Sequence, residues 1–449
     1  MKMILMHSTV LFILITSFSL VSLGQENLSV SDAIALGLKN NYQIQIAGRN
    51  QEIAKRNNNW MEAGAFPSIT ANTSHNINWS ENNNPASFIQ GRSTSNTTSF
   101  GADLNWVLFN GFKVHITKFK LAQLQEQSDG NAAVVIENTI QSTILGYYNG
   151  LLQKEKLKAL SNVLKVSSDR YKYVLAKKDL GSASTFDLLQ IKNAMLTDST
   201  NYLMQQLAYK NALRNLNMLM ATDVETEYDL IDKLEHTGEI LSVDGMKEKM
   251  LSNNQTLKNQ YINQLIMKKD KELAKANMFP VVSFGSGINH NISGFDGTGL
   301  GGVKINSSGN TSLSYYANLS LTFTLFNGNK AHRAFKNMRI QEEIAELTTK
   351  EMELSLSNEL ITAYELYNAR LSILSLTNES LETAELNLNL GKDKYESGAI
   401  SSFEFRDIQT AYLNTVATQL ETVFNAISAH TDLVRLTGGI VEEFGARNN

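Results

Sequence analysis

The sequence predicts an α+β membrane protein: a trimeric transmembrane β-barrel with four strands per chain, continuous with long α-helical coiled coils and built by internal duplication. Three observations carry this. Landmarks recur in the same order. Asn40-Asn41 answers Asn253-Asn254 and Phe66-Pro67 answers Phe279-Pro280 at an offset of 213 residues. Leu108-Phe109-Asn110-Gly111 answers Leu325-Phe326-Asn327-Gly328, Gly181 answers Gly398 and Phe186 answers Phe403 at 217. A unit used twice must do equivalent jobs in the architecture. The period of apolar residues switches from helical to alternating at each Phe-Pro pair. Finally, a chain of 449 residues with 3 prolines suits long uninterrupted helices.

The chain opens with an address. Met1-Lys2 is a short basic start and Val10 to Ile15 an apolar core, followed by Ser22-Leu23-Gly24 with small residues before Gln25. This reads as a secretory signal peptide over residues 1–24, cleaved at Gly24-Gln25; an uncleaved anchor is the alternative. With no cysteine, neither a lipid-anchored signal nor a disulfide is available. The net charge of −4, without a basic stripe, makes nucleic acid an unsuitable partner.

Two repeats then follow, over residues 25–238 and 239–449. Each starts with a helix. In the first, Ser31 or Asp32 is the expected cap and the helix runs to Ala63 with a break near Asn40-Asn41. Its counterpart spans Val243 to Ala276. Pro67 and Pro280 mark the helix-to-strand junctions.

After Pro67, Ile69, Ala71, Thr73, His75, Ile77 and Trp79 alternate with Ser68, Thr70, Asn72, Ser74, Asn76 and Asn78. The partner strand sets Phe100, Ala102, Leu104, Trp106 and Leu108 against Gly101, Asp103 and Asn105. The second repeat keeps the phase, with Val282, Phe284 and Ile288, then Leu313 to Leu325. Strands apolar on one side and rich in Ser, Thr and Asn on the other suit lipid outside and water inside. A half-buried sheet of a soluble protein is the competing reading. The connections Ser80–Asn96 and Ser293–Gly309 are expected to be long surface loops. Trp79 and Trp106 are candidates for the two membrane interfaces, burial between subunits being the alternative.

From Phe112 to Asp179 and from Lys330 to Glu396 no proline intervenes, so each helix would reach roughly 100 Å at 1.5 Å per residue. Ile340, Leu347, Leu354, Ile361, Tyr367, Leu374, Leu381, Leu388 and Tyr395 form a heptad seam with one shift. Gly130 is the expected weak point. Gly181 and Gly398 end these helices as left-handed caps, and new helices run to Met220 and Leu436. Four strands leave open edges that lipid does not tolerate. Two copies would give a filled eight-stranded barrel and three an open one of twelve; the polar inner faces favour three.

At this point the residues resemble one family, the TolC-type outer-membrane efflux proteins. The stretch Leu28-Ser29-Val30-Ser31-Asp32-Ala33 to Asn41, the Phe-Pro junctions, both Leu-Phe-Asn-Gly strand ends and both Gly-x-x-Ser turns carry the resemblance. It implies a homotrimer, a twelve-stranded barrel in outer-membrane lipid and a twelve-helix periplasmic tunnel. It further implies a passive exit duct of tripartite efflux or type I secretion, working with a periplasmic adaptor (membrane fusion) protein and an inner-membrane RND or ABC transporter. By the same resemblance Asp187 and Tyr395 match a tether of neighbouring helices. Glu404 and Asp407 match the acidic ring of the constriction, and the turns at Gly181 and Gly398 lie at the periplasmic tips. Ile400 stands where the family pattern expects arginine. Taken alone, Asp187 and Glu404 read as first-turn acids that complement a helix dipole. The scattered histidines and the lack of a phosphate loop or nucleophile elbow point to no enzyme, no metal and no cofactor. A non-transporting periplasmic coiled-coil structural protein is the alternative function.

Overall fold

The computed structural model describes residues 26–238 and 242–445, so the expected signal peptide and its cleavage point lie outside the described residues. Two compact units form. One comprises residues up to Gln45 with Val135–Asn253 and Asn358 onward; the other comprises Ile46–Val134 and Asn254–Ser357. Each unit therefore takes segments from both repeats.

The second unit holds the sheet. Strands β2 (Ser68–Asn82), β3 (Ile89–Phe109), β5 (Val281–Gly299) and β6 (Lys304–Thr322) lie in the order β2-β3-β5-β6, every pair antiparallel. The register puts Ile69 opposite Leu104, Ala102 opposite Ile288 and Phe284 opposite Leu319, which collects the alternating apolar residues on one face. That face is bare in the single chain: Ile69 is 74% exposed, Trp79 72% and Leu319 69%. The strands are longer than the hydrophobic alternation suggests. Of the expected loop 80–96, only 83–88 lies outside strands. The loop 293–309 shrinks to a turn at Leu300–Gly302 and Val303. Ladder hydrogen bonds need no apolar face once the strands leave a lipid layer, so Ser, Thr, Gly and Asn continue the pairing. At the other end, β6 stops at Thr322, opposite Val281 and next to Pro280, and Phe323 to Leu325 leave the ladder.

Helices of this unit meet through short polar ties. Helix α2 (Tyr42–Asn57) reaches α3 (Lys113–Asp179) through Gln51–Asp129 at 3.0 Å, and α6 (Gln255–Ala276) reaches α3 through Lys120–Asp270 at 2.5 Å. Lys271 of α6 pairs with Glu342 of α7 (Lys330–Glu396). Gly130 is not a break, because α3 is helical throughout. Its lack of a side chain lets Asn259 of α6 pack directly onto the backbone. Each Leu-Phe-Asn-Gly strand end turns through two left-handed residues, Gly111 (φ +69°) with Phe112 (+67°) and Gly328 (+66°) with Asn329 (+60°). A Cβ on Gly111 would also lie 2.7 Å from the Ala276 carbonyl oxygen, so two constraints select glycine there.

The first unit buries a core around a parallel pair of short strands, β1 (Glu26–Leu28) and β4 (Tyr228–Leu230). Leu28, Tyr147, Leu151, Leu216, Met220 and Leu230 are nearly inaccessible, and Tyr147 donates its hydroxyl proton to the Leu28 carbonyl at 2.8 Å. Helix α1 (Val30–Asn40) is capped by Ser29 rather than Ser31 or Asp32. Asp32 is the third helical residue and completes a capping box with Ser29. The break expected near Asn40-Asn41 is present, with α1 ending before Asn41. The counterpart expected as one helix from Val243 to Ala276 is also divided, α5 (Val243–Asn253) giving way to α6 at Asn254, whose side chain caps α6.

Candidate functional site

The ends of two helical hairpins hold the site residues expected from the sequence. One hairpin is α3 with α4 (Thr185–Met220); the other is α7 with α8 (Ser402–Leu436). Both turns use one device. Gly181 (φ +74°) and Gly398 (φ +78°) take the left-handed conformation. Around Gly181, the Gly181 N–H donates to Lys178 O and the Ser182 N–H to Lys177 O; around Gly398, the Gly398 N–H donates to Tyr395 O and the Ala399 N–H to Lys394 O. These are paired Schellman closures that satisfy the last carbonyls of α3 and α7. Ser184 and Ser401 then start α4 and α8 as caps, with Asp187 and Glu404 as the reciprocal acids of two capping boxes. Asp187 accepts from the Ser184 hydroxyl at 2.6 Å, and Glu404 accepts from the Ser401 N–H at 2.7 Å. That backbone bond, with help from the Ser401 side chain, holds the Glu404 carboxyl below the usual range.

No atom lies within 4 Å of a Cβ built on Gly181 or Gly398, so only the backbone resists a side chain there. Gly181→Val and Gly398→Val should each destabilise their turn by about 1 kcal/mol or more. Faster hydrogen exchange at Ser182 and Ala399, with protection elsewhere unchanged, is the expected result; unchanged exchange at the turns would show that the cap conformation is not needed.

Tyr395, near the end of α7, meets residues of α8 and α3. Its ring stacks on Phe405 with centroids 5.2 Å apart and planes 6° from parallel, and the Arg170 guanidinium carbon lies 5.0 Å from the Tyr395 centroid and 5.1 Å from that of Phe405. Arg170, on α3, also donates to Gln409 Oε1 at 2.9 Å and to the Ser402 carbonyl at 3.0 Å. Burial lowers its pKa and the neighbouring Tyr395 opposes that shift. A guanidinium therefore binds the two hairpins together although Ile400 occupies the position where the family pattern expects one. Beside it, Arg406 of α8 grips Asp198 of α4 with both nitrogens, at 2.6 and 2.5 Å, and the Ser167 hydroxyl donates to the same carboxylate. Asp198 is 1% exposed. Glu404 and Asp407 lie three residues apart on α8 and both are exposed, whereas Phe405 and Gln409 turn inward. A cavity of about 1060 Å³ opens next to this cluster, lined among others by Arg170, Tyr173, Lys177, Tyr395 and Tyr412.

Sequence reasoning missed Arg170, Asp198, Arg406 and Gln409. A signal existed: Val163, Ser167, Arg170 and Val174 share one seam of α3, and Leu188, Ile191 and Asp198 one seam of α4, so charged residues sit at core spacing. Elsewhere, Trp106 donates its indole N–H to the Ala65 carbonyl at 3.0 Å and Trp79 projects from the same face of the sheet. Twelve residues of β3 separate Trp106 from Thr94, the partner of Trp79, which is roughly 40 Å of strand and, at a tilt near 45°, roughly one hydrocarbon thickness. Among the described residues no three His, Asp or Glu side chains are placed to hold a metal ion, and no helix is long and apolar enough to cross a membrane.

An open amphipathic sheet together with twin helical hairpins is the fold class of an outer-membrane channel subunit. The chain belongs to the outer membrane efflux protein family, whose sequence pattern matches residues 33–222 and again 247–439. Among solved structures it is similar to CusC, at a TM-score of 0.72 and 16% identity over 92% of this chain and 93% of that one. It is also similar to the CmeC outer membrane channel of Campylobacter jejuni (0.73, 15%, 91% and 85%). The open state of the MtrE outer membrane channel of Neisseria gonorrhoeae matches comparably (0.69, 15%, 92% and 89%). No curated protein matches it by sequence alone.

Proposed function

We propose that three copies of this chain close into a passive duct through the outer membrane. In this reading the duct serves a tripartite efflux or type I secretion system. The observation that carries the reading is the sheet itself: its apolar face is uncovered and both edge strands, β2 and β6, have no further strand partner among the described residues. An edge in lipid leaves backbone groups unsatisfied, so the sheet must be closed by other copies. Because β2 and β6 run in opposite directions, β6 of one copy can take β2 of the next in antiparallel pairing, and twelve strands leave an aqueous lumen.

The helices support the same reading. Ile340, Leu347, Leu354 and Ile361 of the predicted seam are 46–74% exposed in the single chain, whereas Tyr367 and Leu374 are buried. On α4, Leu189, Leu196 and Leu203 repeat every seven residues and are 51–61% exposed. Such stripes call for helices of neighbouring copies. The Gly181 and Gly398 turns are then the ends offered to a periplasmic adaptor, with an RND or ABC transporter in the inner membrane supplying the energy. In mild detergent the purified protein should have the mass of three chains plus micelle. A stable monomer with folded strands would refute the closure, and extraction without detergent would favour a structural coiled-coil protein instead.

A further inference from the structure

Along the paired residues of the four strands, the polar face carries a single charged side chain, Asp103. Glu81 and Arg92, which face each other, and Asp296 and Lys304 belong to the opposite face. Asp103 is not left loose. Asn72 of β2 donates its amide to one carboxylate oxygen at 2.6 Å, and the Tyr316 hydroxyl of β6 donates to the other at 2.6 Å. Tyr316 reaches Asp103 by crossing β5 at Gly287. A Cβ there would lie 2.6 Å from the Asp103 oxygen and 2.7 Å from the Tyr316 ring, so the glycine keeps the crossing open. Side chains from β2, β3 and β6 thus converge, through a gap in β5, on one carboxylate that sits three residues from Trp106.

We propose that Asp103 is the fixed charge that gives the barrel section of the duct its cation preference, with Asn72 and Tyr316 holding it against the wall. This rests on the trimeric reading above. Three copies place three equivalent carboxylates at one level of a lumen whose wall at that level otherwise offers hydroxyls, amides and glycine. Twelve tilted strands about 4.8 Å apart enclose a backbone diameter of roughly 25 Å. At about 10 mM salt the Debye length of about 30 Å exceeds the lumen radius, so the ring acts across the whole section; at 1 M, about 3 Å confines it to the wall. Cationic solutes gain and anionic solutes lose at this level.

The test is the reversal potential of reconstituted channels in a KCl gradient with a dilute side of about 10 mM. The protein used should also carry Glu404→Ala and Asp407→Ala, so that these carboxylates do not mask the barrel. Asp103→Asn keeps an acceptor for Tyr316 and should lower the potassium-to-chloride permeability ratio by about twofold or more at low salt, with no change at 1 M. Asp103→Glu and Tyr316→Phe retain the charge and should retain the preference. An unchanged ratio in Asp103→Asn, with or without a lower melting temperature, would reduce Asp103 to a tie between strands and overturn the inference. Membranes without any channel activity would instead overturn the duct itself.

Discussion

Replacing Arg406 with Ala is expected to destabilise the helical hairpin pair by about 3 kcal/mol, because it leaves the Asp198 carboxylate buried and without its bidentate partner. The Asp198 side chain is 2% exposed and that of Arg406 23%, so the pair is largely shielded and the lower end of the usual range applies. Ser167 would be the remaining donor of the two, and one hydroxyl does not replace two charge-assisted bonds. By thermodynamic linkage about 3 kcal/mol corresponds to roughly a hundredfold loss of hydrogen-exchange protection around residues 191–200 and 402–410. The double replacement Arg406→Met with Asp198→Leu removes both charges and should restore most of the protection. A single Arg406→Ala variant with normal protection would show that the carboxylate is not sealed from water in the assembled protein. Arg170 belongs to the same polar layer, so its truncation should not add independently to that of Arg406.

What was legible in the sequence depends on how local its signal is. The duplication, the alternation after Pro67 and Pro280, and the glycine caps at 181 and 398 are written in adjacent residues, and the structure repeats them. The strand ends were less legible. Hydrophobic alternation reports the lipid-facing band, while pairing continues through Ser93, Thr94 and Ser293, where no apolar residue marks it. The heptad from Ile340 to Ile361 is a true apolar stripe, yet in the chain it faces outward. The residues of α7 buried at that level are Ala345, Thr349, Leu356 and Leu360. Periodicity identifies a stripe and leaves open which neighbour covers it.

The candidate site was legible at its turns and hidden at its centre. Asp187 and Glu404 can be placed from the Ser-x-x-acid spacing alone, since a capping box is complete within four residues. The Arg170 contacts with Ser402 and Gln409 and the Arg406–Asp198 pair span more than 200 residues of chain. No local rule connects them. Ile400 leaves the position where the family pattern expects arginine without charge, and the guanidinium that lies over the Tyr395 ring comes from Arg170 on α3, far away in the chain.

The double replacement Glu404→Ala with Asp407→Ala should abolish divalent block from the periplasmic end of the proposed duct and lower cation preference to the share that Asp103 supplies. Both side chains are exposed in the single chain, and three copies converging on an axis would bring six carboxylates within several ångströms. Such a ring repels itself unless cations compensate it, so divalent ions added on that side should block wild-type channels and leave the double variant open. The capping bonds from Ser401 favour the charged form of Glu404. Because this folded-state pKa is depressed, the stabilisation that ionised Glu404 gives to the start of α8 is fully present above the ordinary glutamate range. It is lost only as pH falls through the lower folded value. Glu404→Ala alone therefore removes a cap as well as a charge, while Asp407→Ala removes a charge from the same face without touching the cap. If Asp407→Ala weakens divalent block and leaves hydrogen exchange at the start of α8 unchanged, the pair acts as a ring of charge. If the double variant keeps wild-type selectivity and block, the two acids serve only to begin a helix, and the constriction lies elsewhere in the duct.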